Sequence, residues 1–100
     1  MKLADFVKMW TDDGFTLSEQ EQKIVGEQQW ILYNVSVPYF ASDYGRHMAI
    51  IVVVSTKTND ILAHDDINTS PRTRPDINWT QAMFNWFENY VTEFGGKPIA

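Results

Sequence analysis

The chain has no cysteine, only five glycines and four prolines, and eight bases against thirteen acids. Without cysteine there is no disulfide frame, no thiolate zinc site and no thiol nucleophile. Phosphate-backbone binding needs clustered Lys and Arg, and the bases here are scattered along a chain of net charge −5. Direct nucleic-acid binding is therefore not expected. The longest apolar run, Met48–Val54, is too short to cross a bilayer as a helix. Asp5 and Lys8 interrupt any signal-like apolar segment near the start, so the expected location is cytoplasmic. Three glycosylation sequons, beginning at Asn34, Asn68 and Asn78, then carry no weight. No repeat, low-complexity tract or linker divides residues 1–100, which are expected to form a single small domain.

Chemistry-bearing patterns are equally sparse. The chain has two histidines, His47 and His64, and neither His-x-His nor His-x-x-x-His spacing occurs. There is no Gly-x-Ser-x-Gly elbow and no glycine-rich phosphate loop. His64-Asp65-Asp66 places an imidazole beside two carboxylates, but three consecutive residues cannot converge on one ion. They read instead as a strand end running into a solvated turn. No catalytic residue, metal or cofactor is assigned.

What is present is apolar: 44% of the residues are hydrophobic and 14% aromatic, enough for a compact core. Met48–Val54 is rich in β-branched residues and lacks the alternation of a one-sided strand. Successive strand side chains point to opposite faces, so both faces of this strand need cover. The stretch 29–37 is its expected neighbour. Ile31, Tyr33, Val35 and Val37 form one wholly apolar face, and Trp30, Leu32, Asn34 and Ser36 form the other. In an antiparallel pairing Trp30 to Tyr33 is expected opposite Ile51 to Val54, with Asn34 opposite Ile50. Pro38 ends the pairing because it lacks an N–H.

Around these strands, Leu3, Phe6, Val7 and Trp10 make one helical stripe within residues 2–13, stopped by Gly14. Phe15 and Leu17 are expected to fold back beneath that helix. Ser18-Glu19-Gln20-Glu21 fits a helix-starting capping box, yet Ile24, Val25 and Gly26 favour an edge strand over about residues 19–25. Lys57 to Asp60 reads as a hairpin turn whose Asn59-Asp60 pair tolerates positive φ, followed by a brief strand to His64. Residues 65–76 then read as a polar loop.

The C-terminal helix is capped by Asn78 and closed by Gly95-Gly96. Trp79, Met83, Trp86, Phe87, Tyr90 and Phe94 fall on one side, widened by Phe84 and Val91. That arc is about twice the roughly 100° stripe of an ordinary surface helix. The predicted fold is α+β: a small antiparallel meander of three to four strands, an N-terminal amphipathic helix, and a long aromatic C-terminal helix on the wholly apolar face. The other face is left to the N-terminal helix or a second subunit. The piece from Ile50 to His64, about fifteen residues of generic character, resembles the PepSY type of helix-plus-meander domain, without the glycine in the turn.

Three functional classes follow. The first is a small soluble, non-catalytic protein-interaction domain, homodimeric because symmetric pairing hides surplus apolar surface. Its contact candidates are Tyr39, Phe40, Tyr44 and Arg46 in the loop before Met48, and Arg72 and Arg74 between Pro71 and Pro75. The second is a small-ligand module with Trp30, Tyr33, Trp86 and Tyr90 lining a cavity between sheet and C-terminal helix. The third is an acidic enzyme inhibitor that mimics DNA, which requires most of Asp12, Asp13, Glu19, Glu21 and Glu27 on one exposed face.

Overall fold

The computed structural model describes residues 1–36, 47–69 and 78–95. Their order is helix α1 (Leu3–Asp12), strands β1 (Thr16–Val25), β2 (Gln28–Ser36), β3 (His47–Ser55) and β4 (Ile61–Thr69), then helix α2 (Trp79–Phe94). The strands form one sheet in the order β1-β2-β3-β4, each antiparallel to the next. The α+β meander with a helix at each end is the architecture expected.

The two inner strands make the core. Every residue of β3 from Ala49 to Val54 is buried, as are Trp30 to Tyr33 and Val35 of β2. Alternation divides them cleanly. Ile31, Tyr33, Val35, Ile50, Val52 and Val54 face α1, where Phe6 is the buried anchor. Trp30, Leu32, Ala49, Ile51 and Val53 face α2, where Met83 and Phe87 are buried. Phe15 and Leu17 fill in beside α1 as expected, and the Phe15 ring stands edge-on to Trp10 at 5.1 Å.

Three details differ from the sequence expectation. The helices are exchanged: α2 lies on the face of Trp30, Leu32 and Asn34, and α1 lies on the wholly apolar face. Asn34 makes that face less apolar, but its Oδ1 accepts a hydrogen bond from the Trp79 indole Nε1–H at 3.2 Å, so an aromatic helix suits it. The β2–β3 register is one residue away from the expected one, with Asn34 opposite Ala49 and Tyr33 opposite Ile50. An unbroken apolar strand offers no alternation to fix which residues face which way. Finally, β4 does not stop at His64 but continues through Asp65 and Asp66 to Thr69. As an outer strand it tolerates charged side chains that an inner one would not.

The turns follow local chemistry. Gly26 takes φ +61° in the two-residue turn between Val25 and Gln28, and Asn59 takes φ 62° before β4. Asn78 caps α2, its Oδ1 accepting from the Gln81 N–H at 3.2 Å. At Gly95 an added Cβ would collide with the Val91 carbonyl oxygen, so the close of α2 requires glycine.

Candidate functional site

Both sheet faces are occupied by the chain's own helices, which moves attention to the outer strands. Exposed large apolar residues among the described ones are Met1, Met9, Ile24 and Leu62. Ile24 lies on β1 and Leu62 on β4, so each edge carries one. The wide aromatic arc of α2 is largely spent on the sheet: Trp79, Phe84, Trp86, Tyr90, Val91 and Phe94 all pack against the α2-side core.

On β1 a register shift between Glu19 and Glu21 leaves Gln20 as a bulge. Glu19, opposite Tyr33, lies on the α1 face, while Glu21, opposite Leu32, lies on the α2 face. Lys23 is also on the α2 face, and its Nζ meets Glu88 Oε2 at 2.5 Å. Burial, and then the nearby Glu19 carboxylate, hold the Tyr33 hydroxyl above the ordinary tyrosine pKa.

On β4 the beginning of the edge is already taken. Lys2 bridges antiparallel to Asp60, and the Ile61 N–H donates to the Met1 carbonyl at 2.7 Å. Lys2 Nζ lies 3.2 Å from Asp60 Oδ1. Hydrogen bonds from Lys2 and then Thr58 lower the Asp60 carboxyl pKa below the ordinary aspartate value. Farther along, His64 packs against the Phe6 ring at 5.3 Å, with Nδ1 3.6 Å from Asp66 Oδ1. Asp65, opposite Ile51, lies on the other face beside Tyr90. Burial of the Tyr90 hydroxyl, together with the charge of Asp65 and a hydrogen bond to it, raises the Tyr90 pKa.

The sequence-derived candidates are sorted by this geometry. Trp30, Trp86 and Tyr90 come together on the α2 side, with Tyr90 5.7 Å from Trp30 and 6.1 Å from Trp86, both edge-on. Tyr33 does not join them. It points to α1, because the register and alternation of β2 put it opposite Ile50. Tyr39, Phe40, Tyr44, Arg46, Arg72 and Arg74 lie outside the described residues.

The two imidazoles are on opposite faces of the sheet. His47 stacks on Trp79 at 5.2 Å with 19° between the rings, whereas His64 faces α1. Glu19 and Glu21 likewise diverge to opposite faces, Asp12 pairs with Lys8, and Glu27 pairs with Lys57. Among the described residues no group of three or more His, Asp or Glu is placed to hold a metal. None of their helices is long and apolar enough to cross a membrane.

The sequence expectation lacks the continuation of β4 beyond His64 and the Lys2–Asp60 bridge. The signal for β4 was the alternation of Ala63, Asp65 and Ile67 against His64, Asp66 and Asn68, weak because only Ala63 and Ile67 are apolar. No family model, curated protein or solved structure matches the chain.

Proposed function

We propose that this chain is a small, non-catalytic protein-interaction domain that works as a homodimer, and that its copies meet along β1. The observation that carries the reading is the spacing of Glu21 and Lys23 on an outer strand whose neighbouring faces are already covered. A two-fold axis perpendicular to the sheet at Gln22 sets Glu21 of each copy opposite the partner's Lys23. Opposite charges directly across an antiparallel pair contribute roughly 0.2–1 kcal/mol each, whereas like charges oppose pairing. The Gln20 bulge limits the regular stretch, so the dimer is weak and concentration-dependent. Separation of the two imidazoles onto opposite faces supports the non-catalytic reading.

Sedimentation velocity tests this. The wild-type chain should shift from monomer towards dimer as its concentration rises through the micromolar range. Lys23→Glu should hold it monomeric, while Glu88→Gln, which removes only the internal ion pair of Lys23, should still dimerise. A wild-type monomer at every concentration sinks the reading.

A further inference from the structure

We propose that the outer edge of β4 takes an extended basic segment of another protein as a fifth strand, with two consecutive Lys or Arg residues opposite Asp65 and Asp66. The inference rests on reading the chain as an interaction domain, but it uses the edge opposite the proposed dimer contact.

The chain itself demonstrates this mode of addition at the start of β4. Met1 and Lys2 lie against Asp60 and Ile61 as an antiparallel bridge, joined by a backbone hydrogen bond and by the ion pair of Lys2 with Asp60. A basic extended segment on an acidic strand edge is thus already present in miniature. Because its N–H donates to Met1, Ile61 directs its backbone polar groups away from β3.

Beyond Ile61 the alternation shifts. Val54 is opposite Ile61 while Val53 is opposite Ala63, so Leu62 is an extra residue. One extra residue reverses which backbone groups face outward, so His64, Asp66 and Asn68 present theirs away from β3, to the outer edge of the described sheet. The Asp66 N–H agrees: it donates to Asp65 Oδ1 at 3.0 Å, a local substitute for a strand carbonyl. An arriving strand would supply that carbonyl and release the Asp65 carboxylate to meet a base.

Charge selects the occupant. Asp65 and Asp66 project to opposite faces, and adjacent residues of an added strand do the same. Two neighbouring bases therefore reach one carboxylate each. A second copy of β4 is a poor occupant, because antiparallel self-pairing near these positions brings aspartates together.

The test uses the full chain and a fluorescent nonapeptide of alternating Thr and Val with two adjacent central arginines, read by anisotropy. Binding is expected. It should weaken about tenfold when both arginines become glutamates, and about as much in the Asp65→Asn/Asp66→Asn variant. N-methylation of alternate peptide amides, which blocks strand pairing, should abolish it.

No binding of the arginine peptide overturns the proposal. Equal binding of the N-methylated peptide also does so, because it would mean attraction by charge alone. Unchanged affinity in the double variant would place the contact elsewhere and overturn the proposal as well. Should that variant lose its cooperative melt, Asp66→Lys alone replaces it, with the same expected loss. Peptide binding and sedimentation are separate readouts, so failure of one proposal leaves the other measurable.

Discussion

The two inner strands and the two outer strands divide the work of this molecule. β2 and β3 carry buried residues on both faces, and their side chains touch both helices through the two halves of the core. β1 and β4 carry mixed polar and charged residues, one bulge each, and exposed Ile24 and Leu62. The inner pair therefore sets stability. The outer pair sets what can add to the sheet, and the bulges with their charges limit indiscriminate addition.

The sharpest way to break that division is to truncate one residue from each class. Ile51→Ala removes a fully buried side chain of β3, and a loss of about 2–5 kcal/mol is expected in chemical denaturation. Leu62→Ala on the exposed β4 bulge should stay within about 0.5 kcal/mol of wild type. Comparable losses at both positions would erase the distinction between inner and outer strands.

Next in size is the helix that covers one face. Asn78→Ala removes the side-chain acceptor of the Gln81 N–H and should cost about 1 kcal/mol, read as a lower midpoint with unchanged m-value.

A pH profile separates the classes further. Tyr33 and Tyr90 have raised folded-state pKa values. Their contribution is fully present below the unfolded tyrosine pKa of about 10 and is lost as pH rises through the higher folded values. Tyr33→Phe should flatten part of the alkaline decline in stability.

The smallest effect belongs to the outer strand. Asp60 has a lowered folded-state pKa, so its contribution is present above the ordinary aspartate value and disappears as pH falls through the folded one. Asp60→Asn should differ slightly from wild type near neutral pH and converge with it in acid. The same profile for both chains would mean that the Lys2–Asp60 bridge adds nothing.

The same contrast explains what the residues revealed in advance. Met48–Val54 announced a strand covered on both faces, and Asn78 with its aromatic followers announced α2, because burial and capping leave strong local patterns. Register and face were harder. An all-apolar β3 reads the same after a one-residue slip, and Asn34 shows its use only when the Trp79 indole is beside it. From Asp65 onward the residues of β4 read as a loop, because an edge strand does not need the apolar alternation that identifies an inner one. The candidate site was correspondingly less legible than the core. It depends on which backbone groups face outward, and that is fixed by bulges at Gln20 and Leu62 that no residue type announces.

Amide hydrogen exchange at two protein concentrations tests the central claim most directly. If copies meet along β1, amides within Glu21–Val25 that face the open edge gain protection as concentration rises, while those of His64, Asp66 and Asn68 do not. Protection that is independent of concentration at both edges, or that grows at β4 instead, would contradict the account.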